Sequence, residues 1–359
     1  MYIYIHIPFC DCICSYCDFC KILYNNKYIN NYLDNLEKEI NCRYKNELIK
    51  SIYIGGGTPS SLSYQELERL FNIIKIFKLD SNYEFTIECN VNNLDINKIK
   101  LFKDNGVNRV SLGVQSFNKE ILTILNRSHT YKEVYNVINN LKNNNINNIN
   151  IDLIYGVNDN IDIVKKDIDY FLSIDIPHIS CYSLIIEDNT LLKINNYQNI
   201  DEDIEYEMYK YIENKLTSNG YIHYEISNYA KEGYSSIHNI NYWDNGSYYG
   251  FGLGSVSYID NYRISNTKNI SKYNKGIYIS NREYEDINTN MSNDMILGLR
   301  KIKGVSISKF YNKYKKNIRE VFDIDDLINN KILIIDNDNM YIDSKYIYLS
   351  NQVLIRFIK

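Results

Sequence analysis

The stretch His6-Ile7-Pro8-Phe9-Cys10-Asp11-Cys12-Ile13-Cys14-Ser15-Tyr16-Cys17-Asp18-Phe19-Cys20 contains five of the eight cysteines of the chain. Within it, Cys10, Cys14 and Cys17 have the spacing Cys-x3-Cys-x2-Cys. Three thiolates on a short loop can ligate three irons of a cubane iron–sulfur cluster, and they leave the fourth iron open to another ligand. The loop follows an apolar run at residues 2–7 that predicts a β-strand. The spacing therefore favours an open-site cluster at the carboxyl end of a strand.

Two other kinds of site fit part of this pattern. Four thiolates suffice for a structural zinc site, and Cys14, Cys17 and Cys20 form a ferredoxin-type Cys-x2-Cys-x2-Cys run. A zinc site usually takes two ligand pairs from separated segments, and the sequence offers no second cysteine pair. The ferredoxin-type run has no obvious fourth ligand. Spacing alone therefore favours the open-site cluster and leaves both alternatives open.

Length and composition narrow the classes of protein. The 359 residues are enough for one barrel-type domain and a smaller one. The net charge of −4 gives no electrostatic footprint for nucleic acid. No run of about 18 apolar residues predicts a membrane span, and no leader with a basic region and an apolar run precedes the first strand. We expect a cytoplasmic protein, in which clustered cysteines indicate metal binding over disulfides.

Apolar runs alternate with amphipathic stretches over the first 190 residues. The predicted strands are 2–7, 51–54, 84–88, 109–113, 150–155 and 178–184, with predicted helices between them. This alternation predicts an α/β fold of right-handed βαβ units around a parallel sheet. In βα barrels the chemistry lies at the carboxyl ends of the strands. Those ends hold residues 10–17 and 55–58, Glu88, Gln115 and Asp152.

The chain divides into three predicted parts. Residues 1–190 form the core, residues 191–285 complete the barrel, and residues 286–359 form a small C-terminal domain. The middle part contains the only tryptophan, Trp243. The Asn-rich residues 281–293 are a predicted linker, and two apolar runs at 331–335 and 340–342 predict a hairpin.

The cysteine loop and several later motifs resemble the radical S-adenosylmethionine (SAM) superfamily. The resembling motifs are Tyr4-Ile5-His6-Ile7-Pro8-Phe9-Cys10, Gly55-Gly56-Gly57-Thr58-Pro59-Ser60, Ser111-Leu112-Gly113-Val114-Gln115-Ser116-Phe117, Asn126-Arg127-Ser128-His129, Asp152-Leu153-Ile154-Tyr155-Gly156 and Tyr224-Glu225-Ile226-Ser227-Asn228-Tyr229. Within the superfamily, they resemble the coproporphyrinogen-oxidase-like branch. The resemblance implies a partial (β/α)6 barrel with a small C-terminal α+β domain of helical, winged-helix-like type.

The resemblance also implies two cofactors. Cys10, Cys14 and Cys17 would hold a 4Fe–4S cluster, SAM would chelate its open iron, and an electron donor would reduce it. The SAM-contact positions of the family fall on Tyr4, Tyr16, Gly56, Gly57, Thr58, Glu88, Gln115, Arg127 and Asp152. Arg127 can pair with a carboxylate, and Asp152 can accept from a hydroxyl or ammonium; a salt bridge at the rim is the alternative for either. No catalytic residue is assigned.

The segment His238-Asn239-x-x-Tyr242-Trp243 resembles the motif that marks the HemW-type haem chaperones of this branch. Because imidazole is a common ligand of haem iron, the resemblance implies that His238 binds haem. A satisfied histidine in the core or on the surface is the alternative. The expected partners are haem and haem-accepting proteins.

The related oxidases have a fourth cysteine at the position of Phe19, and Cys20 stands one residue too late to replace it. The oxidases also carry an extension before the first strand, and here the chain begins at that strand. Where many members read Gly-Ala-His-Ser, this chain reads Gly254-Ser255-Val256-Ser257, which removes one candidate haem ligand. The missing histidine bears on how haem would be held and not on the cluster. The cysteine positions and the start of the chain favour a haem chaperone, which is what we expect. An oxygen-independent coproporphyrinogen III oxidase is the alternative, and a non-catalytic zinc-binding module is the second alternative.

Overall fold

The first half of the chain folds as a partial (β/α)6 barrel in this computed structural model, which describes residues 1–359. Its strands are β1 (Tyr2–Ile7), β2 (Phe9–Cys10), β3 (Ile22–Leu23), β4 (Leu48–Gly56), β5 (Lys78–Asn90), β6 (Arg109–Gln115), β7 (Asn148–Tyr155) and β8 (His178–Ser183). Its helices are α1 (Asn26–Arg43), α2 (Tyr64–Ile74), α3 (Ile96–Asp104), α4 (Lys119–Ile124), α5 (Tyr131–Asn143) and α6 (Ile161–Ile174). Six strands pair in parallel in the order β1-β4-β5-β6-β7-β8, which confirms the six predicted strands.

The strands separate an apolar outer face from a polar inner face. In β1, the side chains of Ile3, Ile5 and Ile7 are fully buried in the apolar core, and the alternation of a strand turns the residues between them to the other face. On that inner face, neighbouring strands contribute buried polar side chains such as Arg109 and His178. The interior of the barrel is therefore a network of hydrogen-bonding groups, and the apolar core lies between the sheet and the helices.

The middle part of the chain closes both ends of the barrel sheet. Its strands are β9 (Ile222–Glu225), β10 (Asn228–Ala230), β11 (Tyr249–Phe251), β12 (Val256–Ile259), β13 (Tyr262–Asn266) and β14 (Ile279–Tyr284). Its helices are α7 (Leu191–Ile194), α8 (Glu202–Ser218), α9 (Ile237–Trp243) and α10 (Ile270–Tyr273). Strand β11 pairs with β1 in parallel, and the β9–β10 hairpin pairs with β8. The glycine-rich residues 250–254 predict only a loop, whereas Tyr249 and Phe251 are buried and form a strand.

The last part of the chain has its own apolar cluster. Its elements are α11 (Ile287–Gly298), β15 (Val305–Ser306), α12 (Ile307–Tyr314), α13 (Ile318–Val321), α14 (Asp325–Asn329), β16 (Leu333–Asp336), β17 (Asn339–Ile342) and α15 (Ser350–Leu354). The three strands form an antiparallel sheet in the order β15-β17-β16, which includes the predicted hairpin. Tyr209 of α8 joins this cluster and so connects it to the barrel. None of the helices combines the length and the apolar character that crossing a bilayer requires.

The predicted linker at residues 281–293 is wrong. All of these residues except Glu285 and Asp286 lie in β14 or α11, because tertiary contacts outweigh the weak helix propensity of asparagine. Met291 is fully buried in the C-terminal cluster. The side chain of Asn290 is also buried, where it donates to the carbonyl of Glu285 at 2.9 Å and accepts from the hydroxyl of Tyr258. The predicted boundary between the middle part and the C-terminal domain, at residue 285, therefore does not coincide with a linker. The boundary itself stays a prediction.

Candidate functional site

One cavity of about 860 Å³ opens at the carboxyl ends of the barrel strands. Its walls come from the cysteine loop, the ends of β4 to β8, and residues 347–352 of the C-terminal part. Eleven of the predicted site residues line it, namely Cys10, Cys14, Tyr16, Cys17, Gly56, Gly57, Thr58, Glu88, Gln115, Arg127 and Asp152. Folding thus brings into one cavity residues that are spread over more than 140 positions of the chain. Tyr4 and His238 are the two predicted residues that do not line it.

The cysteine loop is held by the end of α4. The Asn126 amide donates to the carbonyl of Ile13 at 2.8 Å, and the Ser15 hydroxyl donates to the carbonyl of Ile124 at 2.6 Å. Within the loop, the amide of Cys17 donates to the carbonyl of Cys14 at 3.3 Å. These bonds fix the loop backbone from outside the cavity, so the thiols need no bonds of their own to keep the loop in place.

The three predicted cluster ligands differ in their surroundings. Cys10 is buried, and burial raises the pKa of its thiol to about 11 although the Thr58 hydroxyl donates to its sulfur at 3.5 Å. Burial also raises the pKa of the Cys17 thiol. Metals bind thiolates, so cluster assembly on this loop releases protons. No three His, Cys, Asp or Glu side chains are close enough together to hold a single metal ion. In a cluster, each thiolate binds a separate iron.

The glycine-rich turn after β4 packs directly on the loop. The amide of Gly57 donates to the carbonyl of Ile7, and the amide of Thr58 donates to the carbonyl of Phe9, both at 2.8 Å. A Cβ atom on Gly57 would lie 2.8 Å from the carbonyl oxygen of Pro8, so only glycine fits there. Gly56 has φ of +113°, which side chains other than hydrogen rarely allow. Glycine at these two positions therefore lets the backbone of the turn pack closely against the cysteine loop, and a residue with a side chain would prevent this contact.

Glu88 lies two residues before the end of β5, and it lines the cavity. The Tyr53 hydroxyl donates to its Oε1 at 2.8 Å, and the Gly56 amide donates to its Oε2 at 3.0 Å. Burial nevertheless raises the pKa of Glu88 to about 7. The carboxylate has two donors from the protein and further lone pairs that face the cavity, so it can accept a hydrogen bond from an amine or a hydroxyl.

Asp152 and Arg127 supply opposite charges on the same cavity wall. Asp152 accepts from the Asn150 amide at 2.9 Å and from the Ser111 hydroxyl at 3.0 Å, and burial raises its pKa. The Arg127 guanidinium donates to the Tyr16 hydroxyl at 3.4 Å, while its buried Nε has no hydrogen-bond partner. A buried donor without a partner is costly. The orphaned Nε therefore fits an acceptor group brought in by a ligand.

Gln115 lines the cavity in a strained conformation. Its φ of +65° places a residue with a side chain in the left-handed region, which costs about 1 kcal/mol or more. Gly113 lies beside it, and a Cβ atom there would come within 2.9 Å of the Gln115 amide nitrogen. The end of β6 is thus shaped to hold the Gln115 amide in the cavity.

Tyr4 and His238 are engaged elsewhere, so this geometry gives no support to their predicted ligand contacts. Tyr4 donates its hydroxyl to Nδ1 of His6 at 2.9 Å, because Nε2 of that ring must donate to the carbonyl of Cys20. His238 is 1% exposed. Its Nδ1 bonds the Ser51 hydroxyl at 2.6 Å and its Nε2 bonds the Tyr242 hydroxyl at 2.9 Å. Haem ligation by His238 would require one of these bonds to break.

The structure adds cavity residues that the motifs do not reveal. Tyr53 and Ser111 reach the cavity from positions two residues before Gly55 and Gly113, so the alternation of a strand is the signal that finds them. Four large side chains at the cavity are exposed, which are Phe19 (65%), Ile185 (65%), Leu349 (44%) and Tyr182 (41%). We call these four residues the apolar rim. No local pattern predicts the apolar rim, because its members come from three separate segments.

Known proteins resemble this chain in sequence and in structure. Residues 4–168 match the family model of the radical SAM superfamily. The heme chaperone HemW of Lactococcus lactis subsp. lactis (strain IL1403) is 40% identical over 366 residues, covering 99% of this chain and 96% of that protein. The heme chaperone HemW of Bacillus subtilis (strain 168) is 35% identical over 372 residues, covering 99% and 98%.

The solved structure of the radical SAM enzyme coproporphyrinogen III oxidase (HemN) from Escherichia coli superimposes with a TM-score of 0.88, at 19% identity, covering 99% of this chain and 89% of that chain. At this identity the likeness shows a shared fold alone. It confirms the partial barrel and its C-terminal extension.

Proposed function

This chain belongs to the HemW family of haem chaperones within the radical SAM superfamily, and we propose that its large cavity binds haem beside SAM and the cluster. Membership of the superfamily implies a 4Fe–4S cluster and SAM. Haem binding and delivery to an acceptor protein are the finer parts of the proposal. The apolar rim of the cavity is the observation that supports them.

The residues present fit the two superfamily cofactors. The donor set of Cys10, Cys14 and Cys17 suits three irons of a cluster, and the loop that carries it is fixed from outside the cavity. The cradle at Gly57 and the orphaned Nε of Arg127 suit a ligand that lies against the turn and brings an acceptor. When bound, the cluster supplies one-electron reduction of SAM.

The chemistry of the other predicted SAM residues suggests a role for each. Glu88 and Asp152 are half-buried acceptors at the cavity and can hold the ammonium or the ribose hydroxyls of SAM. Arg127 can hold its carboxylate, and Tyr16 orients the guanidinium through their hydrogen bond. Gln115 offers an amide held in place by the strained end of β6. With these roles, SAM would lie along the wall formed by β5, β6 and β7.

Haem needs a wide apolar surface, and the apolar rim provides one at the cavity mouth. Soluble proteins rarely keep a group of large apolar side chains exposed around one cavity unless a ligand or partner covers it. The apolar rim includes Phe19 of the cysteine loop and Leu349 of the C-terminal part, which line the same cavity. A haem macrocycle that covers the apolar rim would lie further out than SAM, which we propose binds along β5, β6 and β7. In that position haem would stay accessible to an acceptor protein.

Anaerobic reconstitution tests the proposal. We expect reconstituted protein to show iron–sulfur absorbance, to bind SAM, and to bind haem with a shifted Soret band. We expect no turnover of coproporphyrinogen III by the same preparation. Haem transfer is then followed by mixing haem-loaded protein with an apo-haemoprotein and recording its spectrum. Coproporphyrinogen turnover, or zinc without iron in the purified protein, would contradict the proposal.

A further inference from the structure

Residues 236–243, which include the His-Asn-x-x-Tyr-Trp motif at 238–243, contact Ser51 and Glu84 of the barrel and do not line the cavity. Ser236 caps α9, and the first amides of the helix donate to buried Glu84 at the start of the inner face of β5. Ile237 and His238 donate to the two carboxylate oxygens at 3.1 Å. Glu84 is itself 4% exposed. The segment therefore covers one end of the barrel interior. Glu88 and Asp152, the proposed SAM-binding carboxylates, lie further along the same interior.

One chain of contacts runs from residues 236–243 to Glu88. The imidazole of His238 bonds Ser51 and packs on the ring of Tyr53, with ring centroids 5.1 Å apart. Ser51 and Tyr53 stand two residues apart on β4 and so face the same way. The Tyr53 hydroxyl then donates to Glu88 at 2.8 Å. The imidazole thus limits where the Tyr53 ring, and through it the carboxylate, can lie.

A second chain runs from residues 236–243 to Asp152. The Ser236 amide donates to the Tyr224 hydroxyl at 3.3 Å, and that hydroxyl bonds Nε2 of His178 at 2.8 Å. Nδ1 of His178 bonds the Asn150 carbonyl oxygen at 2.6 Å, and the Asn150 amide donates to Asp152 at 2.9 Å. His178 is fully buried.

The direction of every bond in the second chain is determined. Burial holds the pKa of His178 well below its usual value, so the ring is neutral. Because the Asn150 side-chain oxygen only accepts, Nδ1 of His178 carries the proton, and Nε2 accepts from Tyr224. Tyr224 can then accept only from the backbone amide of Ser236. All donors therefore point toward the carboxylate of Asp152, and hydrogen bonds aligned in this way strengthen one another.

We propose that residues 236–243 position the SAM site, holding Glu88 and Asp152 through these two chains of side-chain contacts inside the barrel. The proposal rests on the proposed function only in taking Glu88 and Asp152 as SAM-binding residues. It gives the segment a role that does not require His238 to bind haem, and it explains why both ring nitrogens of His238 are engaged. The residues that transmit the effect, Tyr224, His178 and Asn150, act as positioning residues.

The test uses reconstituted protein and measures SAM affinity, from the EPR spectrum of the reduced cluster, separately from haem affinity, from the Soret band. Tyr224→Phe removes one hydroxyl and keeps the ring, and we expect it to lower SAM affinity about three- to tenfold with haem affinity unchanged. Tyr234→Phe is the matched control, because Tyr234 is an exposed residue outside both chains and its loss of a hydroxyl should change neither affinity. His238→Ala should likewise lower SAM affinity and keep haem affinity.

A double-mutant cycle separates positioning from general destabilisation. If Tyr224 acts through Asp152, Tyr224→Phe should have little further effect on SAM affinity in an Asp152→Asn background. Additive effects, or loss of haem affinity with normal SAM affinity in His238→Ala, would overturn the proposal. Tyr53→Phe tests the first chain independently should Tyr224→Phe fold poorly. If Asp152→Asn and Glu88→Gln both bind SAM normally, the SAM site of the proposed function fails and the positioning role fails with it.

Discussion

The proposed haem surface can be tested with two isoleucines that differ in position but not in exposure. Ile185 belongs to the apolar rim and is 65% exposed, whereas Ile194 on α7 is 66% exposed and does not line the cavity. Replacing either residue with serine removes the same apolar side chain. Neither change opens a cavity in the core, because both side chains lie mostly in water. Any difference in haem affinity therefore reports position.

The size of the effect follows from the exposed surface. Burying a whole isoleucine side chain contributes about 1.5–3 kcal/mol. About two thirds of Ile185 remains to be covered by a ligand, so contact with haem contributes at most about 1–2 kcal/mol. That free energy corresponds to about a 5- to 30-fold rise in the dissociation constant for Ile185→Ser. We expect no change for Ile194→Ser.

Haem titration followed by the Soret absorbance of the two variants and the wild type gives the three dissociation constants. Melting temperatures of the same samples check that the fold is intact. Equal haem affinities for Ile185→Ser and Ile194→Ser would refute the assignment of haem to the apolar rim. SAM affinity should be the same in all three proteins, since neither isoleucine belongs to β5, β6 or β7, which carry the proposed SAM site.

Three further outcomes follow from the site. Cys14→Ser should abolish the iron–sulfur chromophore, whereas Cys12→Ser should keep it; equal loss in both would contradict the ligand assignment. The pKa of Glu88 is about 7, and SAM should favour its ionised form, so SAM affinity should fall as pH drops below 7, by up to about tenfold per pH unit. Glu88→Gln should remove this pH dependence. An unchanged pH profile in Glu88→Gln would exclude Glu88 as the titrating group. Gly57→Ala should lower cluster content, because its Cβ would lie 2.8 Å from the carbonyl oxygen of Pro8; normal iron content would show that the turn can shift.

The parts of the site that sequence reasoning located share one property. Residues at the carboxyl ends of parallel strands meet at one edge whatever the details of packing, so Glu88 and Asp152 could be placed together from strand order alone. The cysteine loop follows from its spacing. The same reasoning could not place the apolar rim, since Leu349 reaches the cavity only through the packing of the C-terminal part on the barrel.

His238 shows where motif reasoning ends. A motif identifies a residue type in a family, but the partners of a side chain depend on what the fold brings next to it. Ser51 lies 187 residues away in the chain, and its hydroxyl occupies one ring nitrogen of His238. Tyr242, one helical turn along, occupies the other. The pattern alone does not reveal that both nitrogens are taken.

Position 19 connects the difference from the oxidases to the proposed haem surface. In the resembling oxidases this position is a fourth cysteine, and here Phe19 is 65% exposed at the cavity. Cys20 does not line the cavity, and its carbonyl accepts from Nε2 of His6 at 2.7 Å. Shifting the cysteine by one residue therefore removes a thiol from the cavity, while phenylalanine adds a flat apolar surface to its mouth. Because both changes occur at the place where we propose that haem binds, they favour the chaperone over the oxidase.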